Sequence, residues 1–158
     1  MNTDSPIARP LSTSADANQV AWRHLRWGWW SLLAFLMLGI VLEAMHGFKV
    51  GAYLNPSQGT RRLMWTLAHA HGTLIGLVHL AFAFTVRLHP DWPSGSRNWA
   101  SSSLRAAGLL IPLGFFLGGV QFYKADPGLG ILLVPPGAVL FLTSVFLCAR
   151  QVNRREPA

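Results

Sequence analysis

Apolar residues gather in four long runs, separated by segments rich in polar and turn-forming residues. The runs cover about residues 28–46, 63–86, 106–123 and 129–149. A helix needs roughly 20 apolar residues to cross the hydrocarbon core of a bilayer, and each run reaches or approaches that length. The pattern predicts an all-α protein, an integral membrane four-helix bundle.

The composition agrees with a membrane protein. Of the 158 residues, 51% are hydrophobic and 12% are charged, and the charged share is about half that of a typical soluble domain. The first 26 residues lack the short apolar stretch and cleavage site of a signal peptide. We expect a disordered cytoplasmic tail over residues 1–26, one four-helix domain over 27–150 and a second cytoplasmic tail over 151–158.

The 13 basic residues outnumber the 6 acidic ones. They cluster at the ends of the apolar runs, which favours membrane anchoring over nucleic-acid binding. Nine lie on one side of the predicted membrane and four on the other, so the positive-inside rule predicts that both termini are cytoplasmic. The nine are Arg9, Arg23, Arg26, Arg87, Arg97, Arg105, Arg150, Arg154 and Arg155; the four are Lys49, Arg61, Arg62 and Lys124.

Prolines and glycines interrupt the apolar runs in the second half of the chain. The segment between the second and third runs, "RLHPDWPSGSRNWASSS", is typical of turns, and "KADPGLG" predicts a tight turn before the fourth helix. Within the fourth run, Pro135 and Pro136 remove backbone donors. We therefore expect a kink in the outer half of that helix.

The second run carries three histidines although it is otherwise apolar. His69 and His71 are two residues apart, so they point about 200° away from each other on a helix and cannot face one ion. Gly72 and Gly76 lie on the side of His69, where their small size admits either a neighbouring helix or a flat ligand. No role is assigned to the remaining histidines within or beside the runs, His24, His79 and His89.

Most of the other polar groups within the runs share one depth. With a rise of about 1.5 Å per residue, His69 lies about 10 Å below the outer boundary. Glu43 and His46 lie in the last turns of the first helix, and Tyr123 lies at the end of the third. Because ionisable residues in a bilayer usually face the protein interior and mark a ligand, ion or proton site, these four residues predict one site.

Haem suits this set of residues better than a metal ion alone. The spacing Glu43-x-x-His46 occurs in di-iron bundles, but such centres need further carboxylates, so Glu43 is interpreted as orienting a histidine. Zinc or copper held by His46 and His69 stays an alternative. Haem needs an imidazole, a slot walled by small and aromatic residues, and cations for its propionates. The candidates, in that order, are His69, then Trp65, Gly72 and Gly76, then Arg61, Arg62 and Lys49.

Three motifs resemble the styrene oxide isomerases, small four-helix membrane proteins of bacteria. They are Trp65-x-x-Ala68-His69 in the second run, "GVQFY" ending at Tyr123, and "GFKVGAY" after the first run. The resemblance extends loosely over all four runs and depends on a handful of positions. It implies a bacterial inner-membrane protein that forms a homo-oligomer.

The resemblance implies ferric haem b at the subunit interface of a trimer, with His69 as the axial ligand of the iron. The iron would act as a Lewis acid on the oxygen of a small lipophilic epoxide, and a hydride shift would give an aldehyde or ketone, with Tyr123 in the active site. One position departs from the family, because Ile75 stands where the family has an asparagine. Gln121 is a substitute donor, and haem binding is a stronger expectation than isomerase activity.

Two other functions fit the same residues. One is a non-catalytic haem or metal protein for electron transfer or sensing, in which His46 or a partner's imidazole is the second ligand of the iron. The other is a small structural membrane subunit whose histidines pack and whose Gly72/Gly76 stripe binds another subunit. Membrane lipid surrounds the protein in every case.

Overall fold

The computed structural model describes residues 11–123 and 125–154, with side chains from residue 15 onward. This part of the chain forms five helices: α1 (Leu11–Gly47), α2 (Gly51–Leu54), α3 (Gly59–Leu88), α4 (Ser94–Val120) and α5 (Val134–Val152). Short 3-10 segments, Pro56–Gln58 and Leu129–Leu133, precede α3 and α5. Between α4 and the second 3-10 segment, β1 (Phe122–Tyr123) pairs with β2 (Asp126–Pro127) in an antiparallel hairpin.

Four helical segments are long and apolar enough to cross a membrane. They are Ala15–Gly47, Pro56–Leu88, Ser94–Val120 and Leu129–Val152. Large apolar side chains cover much of their outer surface, including Trp30 and Phe146, which are 68% and 64% exposed. Such a surface is stable in lipid and unstable in water. The prediction of an all-α membrane bundle with four spanning helices is confirmed.

The long helices pack in the order of the sequence. α1 packs chiefly against α3, α3 against α4, and α4 against α5, whereas α1 and α4 meet over a small area. We call the end of the bundle formed by residues 15–27, 79–88 and 94–105 the lower end and the opposite end the upper end. Because the helices follow one another in a row, grooves remain along α1 on the sides that α3 does not cover.

Glycines allow α1 and α3 to approach closely. A Cβ atom on Gly72 would overlap the ring of Phe35, and one on Gly76 would lie 3.2 Å from Cγ of Leu32. Small residues at such crossings are characteristic of membrane helices, where packing replaces the hydrophobic driving force. The space that these two glycines provide is therefore filled by side chains of α1.

The first helix is longer than the apolar pattern indicates. We expected a disordered tail over residues 1–26, but residues 11–26 are helical, and Ala17, Val20 and Ala21 are buried in the core. These three residues recur at the spacing of one helix face, so α1 continues downward because that face packs against the end of α3. Residues 1–10, 124 and 155–158 lie outside the described part of the chain.

Three further boundaries differ from the sequence prediction. α4 begins at Ser94, inside the expected loop, and it ends at Val120, so that residues 122–123 belong to β1 instead of a helix. The expected kink in the fourth helix is absent, because Pro135 and Pro136 stand in the first turn of α5. Proline is tolerated at that position since the first backbone N–H groups of a helix have no carbonyl partner.

Candidate functional site

A groove of about 400 Å³ lies between the upper halves of α1 and α3, with α2 at its mouth. Glu43, His46 and His69, which the sequence placed at one depth, all line it. The full lining consists of Leu36, Gly39, Ile40, Leu42, Glu43, His46, Tyr53, Thr66 and His69.

His69 is held in one orientation by α1. Its Nδ1 lies 2.7 Å from the backbone oxygen of Phe35, and because a carbonyl oxygen can only accept, Nδ1–H is the donor. The ring crosses α1 at Gly39, where a Cβ atom would overlap it. A histidine that donates its Nδ1 proton to a backbone carbonyl has its lone pair on Nε2, the arrangement that metal-ligating histidines commonly use. Nε2 of His69 is therefore the ring nitrogen available to a ligand.

The remaining polar side chains of the groove come from the ends of α1 and α2. Glu43 and His46 are exposed on α1, one turn apart, whereas Tyr53 of α2 is buried. The ring of Tyr53 stacks on that of Trp65, with 6.5 Å between the ring centroids. Tyr53 ends the motif "GFKVGAY", but sequence reasoning did not assign it to the site, because a four-residue helix in a loop has too few positions to show a helical period.

Tyr123 lies outside this groove. It stands in β1 opposite Asp126 and is 73% exposed, and it is not among the residues that line the groove with His69. Gln121, also exposed, immediately precedes β1. Within one chain, the structure brings together three of the four predicted site residues and leaves Tyr123 on the surface, outside the groove.

Trp65 and Arg61 connect α3 to the end of α4. The Trp65 indole donates a hydrogen bond of 3.2 Å to the backbone oxygen of Phe116 and stacks on the ring of that residue. The Arg61 guanidinium donates to the backbone oxygens of Gly119 and Val120, at 3.1 and 3.4 Å. These carbonyls are in the last turn of α4, where a cation is favourable. Both residues thus stabilise the upper end of the bundle.

The other predicted residues have separate surroundings. Gly72 and Gly76 are covered by α1, as described above, and Arg62 is half-buried next to Arg61. His71 donates from Nδ1 to the backbone oxygen of Leu67 in its own helix, at 2.9 Å. His69 and His71 therefore have different roles, as their spacing predicted for an unbroken helix.

The lower end contains a histidine pair that sequence reasoning did not identify. His24 and His79 are both 0% exposed, and their Nδ1 atoms lie 2.7 Å apart. Nε2 of His24 lies 2.8 Å from the Ser101 hydroxyl, whereas Nε2 of His79 has no hydrogen-bond partner in the described part of the chain. The helical spacing of His24 from Ala17 and Val20 was the available signal, because it places His24 on the buried face of α1.

Among the described residues, no group of three or more His, Cys, Asp or Glu side chains is arranged to hold a metal ion. In the upper groove, the two imidazoles and one carboxylate are a candidate set for a group that needs only one or two protein ligands. Comparisons with models of protein families, with curated proteins and with solved structures found no match to this chain.

Proposed function

We propose that this chain is a multi-pass membrane protein that binds haem b through Nε2 of His69. The observation that carries the proposal is the hydrogen bond from Nδ1 of His69 to the Phe35 carbonyl oxygen. That bond sets the tautomer and the direction of the ring before any iron arrives, which reduces the cost of ordering the ligand. Haem needs one such imidazole, whereas an isolated zinc or copper ion needs three or four ligands.

The groove fits part of a flat, largely apolar cofactor. Its volume of about 400 Å³ falls within the range of small-molecule sites. Leu36 and Ile40 supply apolar contacts, and Glu43 and His46 supply polar groups toward the upper end. One side of the groove is open along exposed residues of α1, and a second protomer of a homo-oligomer, such as a trimer, would cover it.

The proposed activity is the isomerisation of a lipophilic epoxide to an aldehyde or ketone. When bound, ferric haem would supply an open coordination position that acts as a Lewis acid toward the epoxide oxygen. The apolar wall of the groove, formed by residues such as Leu36 and Ile40, admits such a substrate. The Tyr53 phenol, buried at the groove, can orient the oxygen. Tyr123, at the surface, would take part only from a neighbouring protomer.

The distribution of basic residues supports an orientation with both termini in the cytoplasm and the upper groove in the outer half of the membrane. The resemblance to the styrene oxide isomerases adds that this membrane is a bacterial inner membrane. In that position His69 lies in hydrocarbon, where an imidazole without a partner is costly. Its bond to Phe35 and a bound iron would together satisfy both ring nitrogens.

The visible spectrum of the purified protein, expressed with haem supplied, tests haem binding. We expect a Soret band in the wild type that disappears in His69→Ala. His71→Ala is the matched control, because His71 lies on the same helix and bonds its own backbone. A wild type that carries no haem, or a His69→Ala variant that retains it, would contradict the proposal.

A second candidate function is a haem with two protein ligands, used in electron transfer or sensing. It is favoured by one observation, that His46 lines the same groove as His69. Electron paramagnetic resonance separates the two functions. A low-spin ferric signal that becomes high-spin in His46→Ala indicates two histidine ligands, whereas a high-spin wild type that binds imidazole and isomerises an aryl epoxide indicates an open iron.

A further inference from the structure

A second and larger groove runs between α1 and α4, which approach each other only over a small area. It has a volume of about 910 Å³. All of its lining comes from those two helices, between Gln19 and Phe35 on α1 and between Gly108 and Phe116 on α4.

The polarity of this groove changes along its length. Arg23 and Arg26 lie toward its lower end, and apolar residues such as Leu113 and Phe116 line the remainder. A further cation stands beside the lower end, because the Arg87 guanidinium lies 4.9 Å from the centroid of the Trp22 ring. No Asp or Glu is among the described residues that line the groove. The groove is therefore complementary to a molecule with an anionic head and an apolar body.

The part of the groove from its arginines upward matches one leaflet of a bilayer. The stretch of α1 from Arg23 to Phe35 spans about 18 Å at a rise of ~1.5 Å per residue. Half of the hydrocarbon core is about 15 Å thick. Arg23, Trp22 and Trp27 stand at the lower part of this stretch, and Arg and Trp are the residue types that anchor a helix at the boundary between headgroups and hydrocarbon.

We propose that this groove binds an acidic phospholipid from the leaflet at the lower end. Its phosphate contacts Arg23 and Arg26, and one acyl chain extends upward along Trp30 and Leu113. A guanidinium group binds two phosphate oxygens at once. An acidic headgroup such as phosphatidylglycerol differs from a zwitterionic one because it lacks the ammonium that neutralises the phosphate and that two arginines would repel. The site is separate from the upper groove and does not depend on haem.

Native mass spectrometry of the full-length protein, released from bilayers of equal phosphatidylglycerol and phosphatidylcholine content, tests the proposal. We expect the wild type to retain phosphatidylglycerol preferentially. The double variant Arg23→Gln/Arg26→Gln should reduce that preference about 25-fold, since each basic residue contributes roughly a factor of five near an anionic surface. The control Arg150→Gln/Arg154→Gln, which removes the same charge from the other end of the sequence, should retain it. Excess inorganic phosphate should not displace the lipid, whereas displacement would assign the site to free phosphate and overturn the proposal.

A second variant leaves the charges unchanged. Ala34→Phe fills the apolar part of the groove and should release the lipid, whereas Ala44→Phe, also exposed on α1 but outside the groove, should not. Retention of the lipid in both Ala34→Phe and the double arginine variant would overturn the proposal. If Ala34→Phe instead dissociates an oligomer and leaves the bound lipid unchanged, the groove is an interface between copies of the chain and the proposal is wrong.

Discussion

The Nδ1 atoms of His24 and His79 lie 2.7 Å apart in the fully buried interior of the lower end. At this separation one nitrogen must donate a proton and the other must accept it. Two Nδ1–H groups would oppose each other and two bare nitrogens would repel, so the contact forms only when one of these two nitrogens carries a proton and the other is bare. The pair joins α1 to α3 through two imidazoles, each of which can carry its proton on either ring nitrogen.

Replacing either histidine of this pair with an apolar residue should destabilise the protein by about 1–3 kcal/mol, because the remaining imidazole loses its partner in a buried site. His24→Phe and His79→Leu together should cost less than the sum of the single changes. A double-mutant cycle, measured by unfolding in mixed detergent, should give a coupling energy of about 1 kcal/mol. Additive costs would show that the two imidazoles do not interact in the folded protein.

Gly39 should be required for the position of His69. In Gly39→Ala the new methyl group overlaps the imidazole, so the ring must leave the Phe35 carbonyl. We expect a loss of about 1–3 kcal/mol of stability, as for other overpacked sites, together with the loss of any haem that the wild type binds. Gly47→Ala is the control, since its Cβ would meet nothing within 4 Å. Equal effects of the two substitutions would count against this geometry.

The destabilising effect of Gly72→Ala should be reduced by a second substitution at Phe35. Gly72→Ala places a methyl group in the ring of Phe35, and the expected cost of about 1–3 kcal/mol exceeds the gain of up to about 1 kcal/mol in helix propensity. Phe35→Ala removes the ring, so the double variant should be more stable than the sum of the two single costs predicts. Gly59→Ala, whose Cβ would meet nothing within 4 Å, should be neutral or stabilising in the same unfolding measurement.

Arg61 should stabilise the upper end through geometry as well as charge. Its guanidinium reaches carbonyl oxygens of Gly119 and Val120 from a single planar group. Arg61→Gln should lower the free energy of unfolding by about 1 kcal/mol, and Arg61→Lys should recover only part of this loss, because an ammonium cannot donate in the same fork. Arg62→Gln, which removes the neighbouring charge without touching these bonds, serves as the control. Full recovery in Arg61→Lys would mean that charge alone matters.

The apolar runs were sufficient to predict the spanning helices, because burial in hydrocarbon depends on length and composition. Depth along a helix was also sufficient to place Glu43, His46 and His69 beside one groove, since the rise per residue is constant. Which side chains face each other across two helices depends on how the helices are arranged. That arrangement cannot be read directly from one sequence. For this reason His24 and His79, distant in sequence and in different helices, were not paired.

The first and last residues of the helices depended on local chemistry that hydropathy does not measure. Pro135 and Pro136 lie in an apolar run, yet they stand in the first turn of α5, directly after the 3-10 segment Leu129–Leu133. Ser94 begins α4 although its surroundings resemble a turn. Trp92 and Arg97, both nearly fully buried, pack this region under the bundle, and the Trp92 indole donates to the Ser96 hydroxyl at 2.8 Å.

The row-like order of the helices leaves both grooves open sideways, toward the surrounding lipid. A hydrophobic guest of either groove would therefore arrive by lateral diffusion within the membrane, without crossing bulk water. The occupancy of the groove would be set by the mole fraction of the guest among the lipids. A compound that partitions strongly into the bilayer would therefore reach the same occupancy at a lower concentration in water.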